Sequence, residues 1–373
     1  MYFVHPQLKF NLKNIINLKL SFLKKKREIK EIKKLFPDKS IYYTDMGRSA
    51  FRLIIEKLEL QNSQIIMPAY ICNIFAPILK RYKIEPLFLD IDKNSFNLKP
   101  KNIREKITEK TKAVLVVHTY GKAAQIEEIR RITKEKEIYL IEDCAHSFGF
   151  KYKKKYLGSF GDASFFSFYK LFPTLRGGMA LISSHLDKKE IELKKTSFSL
   201  RDIFSLLNCF SFFSYFFKKF AGRTAEKNVR DEKLKEIGKM NRVSLNILNW
   251  QLKNWTEKLK RRKDWALDFI KEAEKLGFQF PNKNDNSFTF LSGLAPDNLN
   301  RDNFVVKMRK FGVFPTRIWH FPIILNKEFE DKKNDFPNTL RIAEKIINFP
   351  LQNFYKEKDK KKIIKRIKKF RYS

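Results

Sequence analysis

Short apolar runs alternate with amphipathic stretches through the first half of the chain. "QIIM" (64–67), "LFLDI" (87–91), "AVLVV" (113–117), "IYLIED" (138–143), "ASFFSF" (163–168) and "MALIS" (179–183) are four to six residues long and rich in β-branched or aromatic side chains. Runs this short, apolar at successive positions, predict strands buried on both faces. Helical patterns lie between several of them, over 49–58 and 124–135. Strand alternating with helix predicts an α/β fold of three layers, α/β/α, around a mostly parallel sheet.

After about residue 184 the pattern changes. Residues 185–240 carry charge clusters around an apolar stretch, and 244–276 read as one long helix. A mixed tail ends in the basic "KDKKKIIKRIKKF", an amphipathic helix whose lysines form a solvated face or, alternatively, meet a membrane surface. No internal repeat is visible. The 373 residues suit two domains. The expected division is a large domain over 1–245, with an apolar insert at about 187–236, and a smaller α+β domain over 246–373. Within the insert, "IFSLLNCFSFFSYFF" (203–217) is 15 residues without a charge. A bilayer span needs about 20 residues. The stretch therefore suits a pair of buried helices or an interfacial segment.

Charge adds a constraint on partners. Lysine and arginine total 78 against 41 acidic residues, a net charge of +37 that attracts anions of any kind. Nucleic acid, an anionic membrane and phosphorylated substrates all qualify, and a compositional bias toward Lys, Ile, Asn and Phe accounts for the charge equally well. The chain lacks zinc-finger spacings and basic-aromatic motifs, so no nucleic-acid partner is expected. Three widely spaced cysteines and five scattered histidines suggest neither a disulfide framework nor a metal site. The N-terminus shows no continuous apolar core with a small-residue cleavage site, so the expected location is the cytoplasm, with peripheral contact at the inner face of the membrane as an extension.

Candidate chemistry centres on Lys170. Between Lys155 and Arg176 it is the only basic residue, set among Phe165, Phe166, Phe168, Tyr169, Leu171 and Phe172. Desolvation disfavours an ammonium ion, so an amine there is expected to lose its proton more readily and act as a nucleophile, as in Schiff-base chemistry with a carbonyl or with pyridoxal 5'-phosphate (PLP). A lysine that snorkels past its neighbours to solvent is the plain alternative. Asp143 ends the "IYLIED" run, where ligands sit in parallel sheets, and His146 follows three residues later. A carboxylate there suits a pyridinium nitrogen and an imidazole suits a phenolic oxygen; a turn or cap residue and a core histidine are the alternatives.

The stretch from "VVHTYG" through "IEDCAHSFG" and "LGSFGDASFFSFYK" to the glycine pair at 177–178 resembles the DegT type family of PLP-dependent sugar aminotransferases, of PLP fold type I. "GRSAF", "PAYICN", "LDIDKNSFNLKP" and "GKMNRVS" extend the resemblance over about 41–255, and "FPNTLRIAEKIINFPL" looks like the family's closing segment. The resemblance implies that Lys170 bonds the cofactor and then moves the substrate proton. It implies that Asp143 pairs with the pyridine nitrogen and His146 contacts the phenolic oxygen. Ser167, with the backbone of Gly47 and Arg48 at a helix start, would bind the phosphate, a placement that helix N-termini favour independently. Asn241 would reach the phosphate of a neighbouring subunit, which implies a homodimer with shared active sites.

Several positions depart from the family's pattern. One residue separates the "SF" pair from the lysine where three are usual, and "KLFPTLRGG" looks like a branch with the shorter spacing and a proline turn. Arg48 stands where the family often has threonine. The aromatic that usually stacks on the cofactor falls near Cys72, which has no ring, and Tyr70 is the expected substitute. Arg317, Trp319 and His320 in "PTRIWHFP" are candidate substrate contacts, with core packing the alternative for Trp319. Family dehydratases carry histidine in place of the lysine, so the presence of Lys170 points to transamination. The expected reaction moves an amino group, with glutamate as the family's donor, to a nucleotide- or lipid-linked keto sugar. The competing class is a non-catalytic membrane or nucleic-acid binder on a decayed scaffold, against which the retained Lys170, Asp143 and His146 weigh.

Overall fold

The structure is a computed structural model that describes residues 12–23, 28–208, 210, 236–353 and 355–371. Its centre is a seven-stranded sheet: β1 (Lys39–Thr44), β2 (Gln64–Pro68), β3 (Glu85–Leu89), β4 (Thr111–Val117), β5 (Tyr139–Asp143), β8 (Ala163–Ser167) and β9 (Gly178–Ser183), in the order β1-β9-β8-β5-β4-β2-β3. A small hairpin of β6 (Lys151–Tyr152) and β7 (Lys155–Tyr156) stands outside it. β8, β5, β4, β2 and β3 are mutually parallel, and β9 runs antiparallel to both of its neighbours. This is the expected three-layer α/β/α arrangement. Every residue of β2, β8 and β9 is buried, which continuous rather than alternating apolar runs require.

Helices cover both faces. Gly47–Lys57 packs across β1, β8 and β9. Ile126–Glu135 lays Ile126, Ile129 and Ile132 against the sheet, with Glu127 and Glu128 in its first turn and Lys134 in its last, the polarity that the helix dipole favours. The expected single helix over 244–276 is instead two, Arg242–Gln251 and Trp255–Glu274. The break falls at Asn254, whose left-handed backbone (φ 55, ψ 32) cannot continue a helix, and asparagine is among the few residues that adopt it readily.

The main core includes the sheet, its helices and, from late in the chain, Trp319, Ile323, Ile324, Ile342 and Ile346. A second core gathers Trp265, Phe269, Phe278, Phe304, Phe349, Ile363 and Ile367 around β10 (Leu291–Leu294) and β11 (Ile346–Phe349). The basic tail is helical over Glu357–Arg371, and its isoleucines enter this second core. Of the apolar stretch 203–217, residues up to 208 continue a helix that starts at Leu200, Phe210 is buried, and the remainder lies outside the described residues. Asp202 on that helix is fully buried and takes a hydrogen bond from Arg176 Nε at 2.5 Å, which ties the helix to the loop between Lys170 and β9.

Candidate active site

Three strand ends supply the chemistry. β5 stops at Asp143 because the chain turns there: Oδ1 accepts the N–H of Ala145 at 2.9 Å, an Asx turn that carries the backbone across the strand end. The carboxylate is 4% exposed, and burial pushes its pKa up while the charge of Lys170 opposes the rise. The same turn delivers His146, which is buried. Its Nδ1 accepts the N–H of Tyr120 at 3.2 Å, which assigns the ring hydrogen to Nε2. Tyr120 presents that N–H from a left-handed backbone (φ 55, ψ 15) just past β4. Burial holds the imidazole well below its ordinary pKa, so the ring is neutral at neutral pH.

Nε2 of His146 faces Lys170 Nζ at 3.0 Å. Lys170 ends a single 3-10 turn, Phe168–Lys170, directly after β8. Of the aromatics that surround it in sequence, Phe166, Phe168 and Phe172 are fully buried, and Phe148 packs edge-on against each of them. Lys170 itself is half-buried and turned to the strand ends. A neutral imidazole, a buried carboxylate and a primary amine thus meet at one place.

A small anion fits beside them. Gly47 opens its helix after Met46, whose side chain caps nothing, and Ser167 ends β8 next to it. A Cβ on Gly47 would come within 2.2 Å of Ser167 Oγ, so only glycine lets the helix start approach the hydroxyl. Arg48, half-buried, follows in the first turn. Hydroxyl, helix N-terminus and arginine are a phosphate-binding set. Together with an amine for an aldehyde and a carboxylate for a pyridinium, these residues fit PLP.

The other expected site residues are placed as follows. Tyr70 is wholly buried, and its hydroxyl donates to Tyr120 Oη at 2.6 Å, which in turn donates to the Ile318 carbonyl at 2.5 Å. Asn241 caps the helix Arg242–Gln251, its Oδ1 accepting from Ser244 N–H at 2.8 Å, beside β1. Arg317 pairs with Asp302 at 2.5 Å, and His320 donates from Nδ1 to the Arg317 carbonyl at 2.7 Å. Trp319, between them, enters the site. Its ring lies 4.8 Å from that of His146 and 5.4 Å from that of Tyr120. Cys72 in turn lies within the electrostatic reach of Lys170 and Asp143. No signal in the sequence links positions 72 and 319.

Behind the site, Glu142 Oε2 accepts from His118 Nε2 at 3.1 Å and Gly158 N–H at 2.9 Å, and its Oε1 accepts from the N–H groups of Phe160 and Gly161. His118 Nδ1 accepts from Ala124 N–H at 3.1 Å. Cys144 lies near this pair, but both ring nitrogens of His118 are already committed within the protein, so the cluster is scaffolding that pins the turn before β8.

Comparison with known proteins agrees with this geometry. The pattern of the DegT/DnrJ/EryC1/StrS aminotransferase family matches residues 39–368. An uncharacterized protein of Methanocaldococcus jannaschii is 27% identical over 322 residues, 82% of this chain and 79% of that protein. GDP-perosamine synthase of Escherichia coli O157:H7 is 37% identical over 147 residues, 38% of this chain and 40% of that enzyme. Among solved structures, Helicobacter pylori PseC, an aminotransferase involved in the biosynthesis of pseudoaminic acid, has a TM-score of 0.76 at 17% identity, over 99% of each chain. NtdA of Bacillus subtilis, solved with bound cofactor PMP, has a TM-score of 0.73 at 17% identity, over 97% of this chain and 83% of its own. Identities this low show a shared fold, and the family assignment rests on the sequence pattern, which spans nearly the whole chain. The chain therefore belongs to the DegT/DnrJ/EryC1/StrS aminotransferases, enzymes that use PLP.

Proposed function

We propose that the protein is a PLP-dependent aminotransferase that moves an amino group from glutamate to a nucleotide- or lipid-linked keto sugar, in cell-surface polysaccharide or related sugar biosynthesis. The observation that carries this reading is the Lys170 amine, 3.0 Å from His146 Nε2 at the strand end that bears Asp143. The names of GDP-perosamine synthase and PseC support a sugar acceptor. When bound, PLP supplies an electron sink for the pair released as the substrate carbon loses its proton. In this reading Lys170 would hold the cofactor through its aldehyde and, once released, its amine would be placed to move the substrate's proton. Asp143 would keep the ring nitrogen protonated, and His146 would donate Nε2–H to the phenolic oxygen. Ser167 and the helix start at Gly47 and Arg48 hold the phosphate, while Arg317 and His320 face the substrate.

The test is an absorption spectrum of protein purified with PLP, beside that of Lys170→Ala, before and after glutamate. The expected result is a visible band that needs Lys170 and collapses on adding glutamate. A wild-type protein without the band would leave a non-catalytic binding protein as the better reading.

The same proposal includes a homodimer in which Asn241 reaches the partner's phosphate site, and a cytoplasmic enzyme that touches anionic membrane. Supporting the membrane contact, Leu12, Ile16, Leu20 and Leu23 form one exposed helical face, and Leu200, Ile203 and Phe204 another. Residues 1–27 also carry seven basic residues (Lys9, Lys13, Lys19, Lys24, Lys25, Lys26, Arg27) and no acidic one. No helix among the described residues is long and apolar enough to cross a membrane.

A further inference from the structure

We propose that Trp319 covers the cofactor ring in this chain, supplying from the far part of the sequence the aromatic face that position 72 lacks. The inference rests on the PLP reading above. Cys72 is bridged to Pro322, three residues beyond Trp319, and feels the charges of Lys170 and Asp143, and a thiol has no face to lay on a pyridinium ring. Tyr70 is buried with its hydroxyl committed to Tyr120, and its ring meets Trp319 edge-on at 5.7 Å. Trp319 borders His146, tilted 36° to the imidazole at 4.8 Å, while Phe290 meets the same ring edge-on at 4.9 Å and Tyr120 stacks on it at 5.8 Å.

The structure fixes the indole there from several directions. Ile323 N–H bonds the Ile71 carbonyl at 2.9 Å, and Pro322 bridges Cys72, so the segment bearing Trp319 is zipped to the loop after β2. Ile318 is held on both sides, its carbonyl by Tyr120 Oη at 2.5 Å and its N–H by Asn348 Oδ1 at 2.6 Å. Trp319 itself adopts φ 62, a left-handed conformation that bulky residues rarely take and that persists only where surroundings enforce it. The ring packs against Tyr70 at 5.7 Å, Tyr120 at 5.4 Å and His146 at 4.8 Å, and these contacts set its orientation.

The test compares wild type with Trp319→Leu, Trp319→Phe and the double variant Trp319→Leu/Cys72→Phe. Equilibrium dialysis gives PLP affinity, visible circular dichroism reads the bound ring, and melting of the apo proteins reports structural damage. Leucine keeps apolar bulk without a π face, so Trp319→Leu is expected to bind PLP roughly five- to tenfold more weakly and to lose most of the induced dichroism. Trp319→Phe should stay close to wild type, and the double variant should regain affinity. Wild-type affinity and dichroism in Trp319→Leu would overturn the assignment alone. So would a loss that phenylalanine at neither position restores and that tracks a lowered apo melting temperature. A wild-type protein that binds no PLP would overturn both this inference and the aminotransferase reading.

Discussion

In the proposed site, Asp143 is where cofactor binding and stability pull against each other. Its carboxylate is buried, so without a pyridinium partner its folded-state pKa stands above the ordinary aspartate value. With the folded pKa raised, the carboxyl favours the fold below the unfolded pKa of about 4, and that contribution is lost as pH rises through the folded value. At neutral pH the apo protein therefore carries a penalty that Asp143→Asn removes, while the asparagine oxygen can still accept from Ala145. The expected outcome is an apo Asp143→Asn protein that melts above wild type at pH 7, a gap that closes toward roughly pH 4, and a large loss of PLP affinity. Scanning calorimetry across pH checks it, and equal melting temperatures at pH 7 would count against the buried-charge account. Lys170, Asp143 and His146 could be picked out from sequence as candidates because a lone amine between aromatics, a carboxylate at a strand end and the family resemblance around them are all local signals. Trp319 could not, because its role depends on Cys72 and His146, which only folding brings beside it.

Among the elements, β5 and the turn before β8 are joined through one side chain. Glu142 gathers three backbone N–H groups and His118, and although burial alone would raise its pKa, those bonds hold it below the ordinary range. Glu142→Gln sets an amide N–H₂ against N–H donors, so we expect a loss of about 3 kcal/mol, measurable by urea unfolding. The activity of what remains folded should fall too, since the same turn leads into the strand that ends at Ser167 and Lys170. A loss under about 0.5 kcal/mol, the usual effect of a surface change, would show that the turn holds itself. At this scale the buried strands were legible and the helix over 244–276 was not. Periodicity runs on through both helices, but Asn254 takes a left-handed turn, and Trp255 then packs on Phe148 at 5.6 Å and against Gly149. Residue pattern records which face is apolar; it does not record where the neighbouring surface bends.

For the whole molecule, the two cores adjoin along β11, where Ile346 belongs to the main core and Ile347 to the second. The proposed dimer and membrane contact are tested together by sedimentation with and without anionic phosphatidylglycerol vesicles. The expected outcome is a species of twice the chain mass that co-sediments with the vesicles and is released by salt, since charge attraction is screened. A monomer would remove the shared-site role of Asn241, and absence of binding at low salt would remove the membrane contact.

The sequence by itself determined the layered α/β architecture, because strands buried on both faces must be apolar at every position, and it marked Lys170, Asp143 and His146 as candidates, through their places at the ends of apolar runs and the family resemblance around them. Tertiary structure alone decided which tautomer His146 presents, since that depends on a backbone N–H offered by Tyr120 in a left-handed turn. It alone also decided that Trp319 stands against His146, on a segment bridged to Cys72, since contacts between distant segments follow from how cores pack and leave no trace in the order of residues.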